Sequence, residues 1–347
     1  MANSDIVNSQ DPSNLRRVLL ESPDQFKVGF ELAKDIKIEG EFKQIMISGM
    51  GGSALPGNLL RIYLQDMHRN NGAKPVAIYQ NRYYSLPHES YDNCLNIISS
   101  FSGTTEEAIS SFKEALEKKL PCVGISSGGD IEKMCTENNI PHVKLPVPYP
   151  NFQPRVATGY FFAVILQLLI NHRLASDTTS ELLENAGRLK TEVAKLEEKG
   201  KLIAQRVKGK TPVIYSSAMY KGVAMVWKIK FNEHAKTPAF WNFFPELNHN
   251  EMIGYTNPQG KFYIIMLRDP ADNPKNLNRF IATEQLLKEK GVESEIIDFE
   301  GENVFYKIFS SLVMGDFAAY YLALEYGQDP TPVDMVEKLK SILAGMK

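Results

Sequence analysis

Five of the fourteen positions from Pro141 to Pro154 are proline (141, 146, 148, 150 and 154), and no other feature limits the fold of this chain so sharply. Each ring fixes φ and removes a backbone donor, so this density ends any helix or central strand and marks a crossing between domains. Before it, residues 42–48, 74–79, 95–100 and 121–126 read as strands, and residues 53–67 and 105–119 as helices. Ile109, Phe112, Ala115 and Leu116 give the second helix an apolar face at helical spacing. Beyond the prolines, helical segments over 156–207 lead into a second alternation. Strands are expected at 212–217, 262–267 and 294–298, and helices at 220–235, 275–290, 303–326 and 333–344. Alternation at these lengths predicts an α/β fold of two domains, each a mainly parallel sheet flanked by helices on both faces. The expected division is an N-terminal helical segment (1–40), a first domain (41–153), connecting helices (154–208) and a second domain with a terminal helix (209–347).

Charge and cysteine usage exclude several classes of function. With 39 basic and 41 acidic side chains the net charge is −2, so the basic face that nucleic acid needs is missing. The densest apolar run, residues 160–170, is too short to span a bilayer and reads as a buried helix, so no membrane partner is expected. Cys94, Cys122 and Cys135 are odd in number and form no CxxC pair, which suits a reducing, cytoplasmic setting. The polar run 1–12 does not resemble a signal peptide.

Two loops fit phosphate. A strand runs into Gly49, Met50, Gly51, Gly52, Ser53 and Ala54, and then a helix. Glycines at such a turn let backbone N–H groups face an anion, with the helix dipole behind them. The same glycines also suit a tight turn needing positive φ, or the dinucleotide pattern G-x-G-x-x-A. That pattern wants an acidic residue at the end of the next strand, where Tyr79, Gln80, Asn81 and Arg82 stand instead. The second loop is Ser100, Phe101, Ser102, Gly103, Thr104 and Thr105, followed by Glu106 and Glu107. Four hydroxyls around one glycine exceed what an N-cap requires and suit phosphate oxygens. A third loop, Ser126 to Gly129, reads as a turn bordering the pocket.

Residues 231–255 combine aromatics with Glu233, His234, Glu246, His249 and Glu251. Aromatic surroundings raise a carboxylate's pKa towards the range of a general base. Glu233 reads equally as a solvated helix end, and His249 as a hydrogen-bonded loop histidine. No HExxH motif or i, i+4 histidine pair is present, so no metal is expected.

Together, residues 49–53, the 100–107 run, Pro154 with Arg155, and Glu233 followed by His249 resemble the bifunctional phosphoglucose/phosphomannose isomerases, which carry two sugar-isomerase (SIS) domains. The stretch from Asp329 to Lys338 is similar to that family's end, and the resemblance runs from about residue 45 to the C-terminus. It implies that Gly51, Gly52, Ser53, Ser100, Ser102 and Thr105 bind phosphate, and that Arg155 lies beside the reacting carbons. It further implies that Glu233 is the base, that His249 opens the sugar ring and that Lys338 acts from the terminal helix, with Lys340 two positions away as its competitor. Thr331 matches a small residue leaving space at C1–C2, which would admit both glucose 6-phosphate and mannose 6-phosphate. No cofactor is implied, and the assembly implied is a homodimer in which His249 enters the partner subunit's site. Phe240, Trp241, Phe243 and Phe244 are expected to exclude water. The alternatives are a sugar-phosphate-binding regulator without catalysis and an aminotransferase-type isomerase domain. The latter wants a nucleophilic cysteine near the N-terminus, and the first cysteine here is Cys94.

Overall fold

The computed structural model describes residues 10–72 and 74–346; most of the polar run 1–12 lies outside it. The chain forms two compact units. The first comprises Leu20–Val193 and Glu300–Ser310; the second comprises the residues up to Leu19, Ala194–Phe299 and the residues from Ser311.

After α1 (Leu15–Leu20), the first unit opens with α2 (Gln25–Ala33) and continues into a parallel sheet. Its strands are β1 (Gln44–Ser48), β2 (Ala77–Asn81), β3 (Cys94–Ser99), β4 (Cys122–Ser126) and β5 (His142–Lys144), in the order β2-β1-β3-β4-β5. Between them run α3 (Gly51–Asn71), α4 (Glu106–Glu117) and α5 (Gly129–Glu137). Every residue of β3 and β4 is buried, as strands covered on both faces require. The apolar run of residues 160–170 falls within α6 (Thr158–Asn171), a buried helix. Gln25 fastens α2 to it, donating to the Val156 carbonyl (2.7 Å) and accepting from Gly159 N (3.1 Å). Phe26 stacks edge-on against Phe162, Phe305 and Phe309, so residues 25–33 are part of this unit's core.

Helix α7 (Thr179–Val207) supplies its later turns to the second unit. There β6 (Thr211–Ser217), α8 (Lys221–Glu233), β7 (Phe240–Phe244), β8 (Phe262–Arg268), α9 (Pro274–Glu289) and β9 (Glu293–Asp298) form a parallel sheet ordered β7-β6-β8-β9. Helices α10 (Val304–Glu325) and α11 (Asp334–Ala344) follow. The Asp11 carboxylate caps α1, accepting from Leu15 N (2.7 Å) and Arg16 N (3.0 Å), and also accepts from the Tyr320 hydroxyl (3.0 Å). Arg16 grips Glu197 through two bonds of 2.6 and 2.9 Å.

Three elements were not read from the sequence. Strand β5 has three residues and sits inside the proline-rich run. Helix α5 begins at the second of two glycines whose pattern suggests only a turn. Strand β7 was read as an aromatic loop, because Phe240 to Phe244 lack the alternation of a half-buried strand and lie between Pro238 and Pro245.

Candidate active site

In a sheet ordered β2-β1-β3-β4-β5 the chain leaves β1 in opposite directions, and ligands bind beyond the carboxyl ends of the strands where that reversal occurs. In the first unit that point lies between β1 and β3, and both candidate phosphate loops leave from there. Gly51 has φ +48, and a side chain at Gly52 would meet the Pro154 carbonyl at 2.6 Å and Arg155 N at 2.7 Å. Gly52 therefore lets the segment carrying Arg155 approach the first loop. Arg155 itself is 1% exposed, a buried cation brought beside the start of α3.

The second loop has an internal scaffold. The Ser53 hydroxyl accepts from Phe101 N (2.9 Å), while Ser99 Oγ donates to the Ser53 carbonyl (2.7 Å), so the two loops are tied together. Ser100 and Thr105 hydroxyls lie 2.7 Å apart, and Ser100 Oγ accepts from Gly103 N (3.1 Å). Ser102 stays exposed, 3.0 Å from the Thr104 hydroxyl. Thr105 is the N-cap of α4, yet its side chain caps nothing, and Met50 does not cap α3. Neither helix start is capped by the side chain of its N-cap residue, so the simple N-cap reading of Thr105 fails, and helix N-termini of this kind favour an anion.

The third glycine turn packs on this loop. Gly103 has φ +72, and a Cβ there would lie 1.8 Å from the Gly128 carbonyl oxygen. Gly103→Ala must therefore shift the loop. A melting temperature lowered by a stability loss of about 1–3 kcal/mol is expected from calorimetry.

The second sheet repeats the order, but its equivalent point between β6 and β8 is filled. The Tyr220 hydroxyl donates to Asp269 Oδ2 (2.7 Å), Asp269 Oδ1 accepts from Ala271 N (3.0 Å), and both residues are buried. The chain's own carboxylate stands where an anion would bind. Neither residue was singled out from sequence, although an aspartate at the end of β8, where β3 is followed by serine, is the signal.

The second unit holds the remaining candidates and sorts the acidic-aromatic segment. His234 is fully buried, with Nε2 3.1 Å from Asp316. Glu246 accepts from Asn250 (2.8 Å); Glu251 accepts from the Tyr215 hydroxyl (2.6 Å) and from Asn242. Burial and these neighbours raise the Tyr215 pKa, and Tyr255, 2.7 Å away, is pushed up to about 12. Glu233 is left half-buried as the last residue of α8, and His249 exposed at the end of the 3-10 turn Glu246–His249. The aromatics divide as well. Phe244 belongs to the core, 4.3 Å from Phe280, and Phe240 is 55% exposed. Only Trp241 and Phe243, half-buried and stacked, keep the character expected of a water-excluding pair.

Thr331 is buried, its N–H donating to Asp329 Oδ1 (2.9 Å). Lys338 is exposed on α11, whereas the Lys340 ammonium is engaged with Glu337 (2.7 Å) on the same helix. Gly51, Gly52, Ser53, Ser100, Ser102, Thr105 and Arg155 thus fall in the first unit, and Glu233, His249, Thr331 and Lys338 in the second. The three cysteines are buried and free, and burial pushes Cys94, Cys122 and Cys135 up to about 12, 11 and 12, so they stay protonated at neutral pH. Among the described residues no group of three His, Cys, Asp or Glu side chains is placed to hold a metal ion, and no helix is long and apolar enough to cross a membrane.

Residues 196–343 match the family model for the bacterial phospho-glucose isomerase C-terminal SIS domain. A bifunctional phosphoglucose/phosphomannose isomerase of Caldicellulosiruptor bescii is 33% identical over 94% of this chain and 97% of its own length. One from Aquifex aeolicus is 31% identical over 90% of this chain and 93% of its own. The crystal structure of tagatose-6-phosphate ketose/aldose isomerase from Escherichia coli superposes with a TM-score of 0.62 at 13% identity, covering 94% of this chain and 93% of that one.

Proposed function

The chain belongs to the bifunctional phosphoglucose/phosphomannose isomerase family, and on that premise we propose that this sugar-phosphate isomerase converts both glucose 6-phosphate and mannose 6-phosphate to fructose 6-phosphate, reversibly, through an enediolate and without a metal. The observation that carries the reading is the uncapped hydroxyl cradle between β1 and β3, facing two helix N-termini at the topological switch point. Ser100, Ser102 and Thr105, with the backbone of Gly51, Gly52 and Ser53, hold the phosphoryl group there. The closed Tyr220–Asp269 counterpart supports a single phosphate position per chain.

His249 and Lys338 exchange protons with the ring oxygen and the C1 hydroxyl. Glu233 then removes a proton from one carbon and returns it to its neighbour. Arg155, permanently cationic, stabilises the oxyanion that develops. Lys338 is favoured over Lys340, whose ammonium is already paired. Thr331 leaves room for rotation about C2–C3, so either face of C2 meets Glu233.

The working form is a homodimer. His249 is exposed and makes no side-chain hydrogen bond among the described residues, which suits entry into a second copy's site. Helix α11 buries none of its residues and exposes Met335, Val336, Leu339, Ile342 and Leu343, an apolar face that suits a subunit interface.

A coupled assay for fructose 6-phosphate, run on each aldose with and without chelator, tests this reading. Turnover of both sugars, unchanged by chelator, is expected. Activity on glucose 6-phosphate alone would make it a single-substrate isomerase, and binding without turnover would leave a sugar-phosphate sensor.

A further inference from the structure

The end of α8 is pinned from two sides within the second unit. On one side, Lys230 and His234 bracket Glu233 in sequence, and both bind Asp316 Oδ1 of α10, at 2.8 and 3.1 Å. Lys230, His234 and Asp316 are all buried. Burial alone would raise the Asp316 carboxyl, but the Lys230 ammonium and the contact with His234 hold it below its ordinary value. A buried carboxylate with two such partners keeps the helix end in one place, because losing Lys230 leaves a buried charge without its counter-ion.

On the other side stands Lys236. Its ammonium donates to three backbone carbonyls: Glu233 at 2.6 Å, Pro330 at 3.2 Å and Pro332 at 2.5 Å. Pro330 and Pro332 flank Thr331, and the same segment leads into α11, which carries Lys338. Lys236 also has φ +54, a left-handed conformation that glycine or asparagine would adopt at lower cost. What its side chain reaches accounts for a lysine in that strained position.

We propose that Lys236 is a positioning residue of the isomerase site, tying the backbone of the base Glu233 to the Pro330–Pro332 segment so that Glu233 and Thr331 keep one relative placement. The inference rests on the isomerase reading above. A neutral side chain of similar length cannot gather three carbonyls, so the base and the C1–C2 end of the sugar lose their alignment. Displacements of about 1 Å at a reacting centre cost up to roughly 100-fold in rate. The phosphate loops belong to the first unit and do not involve Lys236, so affinity is little affected.

The test compares Lys236→Met, Lys236→Arg and Glu233→Gln for kcat, KM and melting temperature with fructose 6-phosphate. For Lys236→Met, kcat is expected to fall roughly 10- to 100-fold, with KM within about twofold and little change in melting temperature, because the side chain is exposed. Lys236→Arg, which keeps the charge and several donors, is expected to recover most of kcat. Adding Lys236→Met to Glu233→Gln is expected to have little further effect, since both act through the same group. Near-normal kcat in Lys236→Met, while Glu233→Gln is inactive, overturns the positioning role and leaves the isomerase reading intact. Near-normal kcat in Glu233→Gln overturns the reading itself. If Lys236→Met does not fold, Lys236→Gln carries the same comparison.

Discussion

Glu233→Gln is expected to fold and bind fructose 6-phosphate, and to lose turnover by roughly 10²–10⁴-fold, the usual cost of removing a positioned general base. Glutamine keeps the shape and the hydrogen-bonding reach of the side chain but accepts no proton at neutral pH. The substitution leaves in place the contacts made there by the Glu233 carbonyl, Lys230 and His234, which anchor the helix end. The expected signature is therefore a fall in kcat with KM nearly constant, and with the melting temperature within a few degrees of the parent chain. Solvent exchange of a C1 proton of fructose 6-phosphate, followed by NMR in deuterated water, should fall in parallel. Near-normal exchange in this variant would remove Glu233 from the proton transfer.

Arg155→Lys is expected to lower kcat by roughly 10²–10³-fold, the range seen when one donor to a developing oxyanion is lost. Lysine preserves the charge, so the site does not acquire an empty buried cation position. It lacks the planar fork, however, and reaches the oxyanion with a compact ammonium in a different place. Arg155 is 1% exposed, and its backbone is fixed against Gly52, so the segment itself has little freedom to compensate. Binding of inorganic phosphate, which reports on the hydroxyl loop, should change less than twofold. A lysine variant with kcat within threefold of the parent would show that the fork makes no special contribution at this site.

How much of this was legible in the sequence differs between the two units. In the first unit the pattern was clear: β1, β3 and β4 are short, mostly apolar segments ending in Ser48, Ser99 and Ser126, and the loops that follow are glycine and hydroxyl rich. Such strands carry their signal locally, because a strand buried on both faces is apolar throughout. What the sequence could not show was how the loops are built. That Ser53 ties one loop to the other, that Gly52 yields to Arg155 and that Gly103 yields to Gly128 are contacts between residues 48, 103 and 25 positions apart. In the second unit the acidic-aromatic segment was recognisable as unusual but could not be sorted. His234, Glu246 and Glu251 are as reactive on paper as Glu233 and His249. What occupies His234 and Glu251 is tertiary, the Asp316 carboxylate and the Tyr215 hydroxyl, while Glu246 is held locally by Asn250. Strand β7 was missed for a related reason: its edge position leaves Phe240 exposed while Phe244 enters the core, so five consecutive bulky or polar residues show no clean period.

The central claim is that a phosphoryl group held by Ser100, Ser102 and Thr105 presents the sugar's first two carbons to Glu233. A crystal structure of the Glu233→Gln variant with fructose 6-phosphate bound measures this directly. The account predicts phosphate oxygens within hydrogen-bonding distance of those three hydroxyls, and C1 or C2 about 3–3.5 Å from the residue 233 side chain of the same chain. A phosphoryl group seated elsewhere, or carbons C1 and C2 far from residue 233, would contradict it.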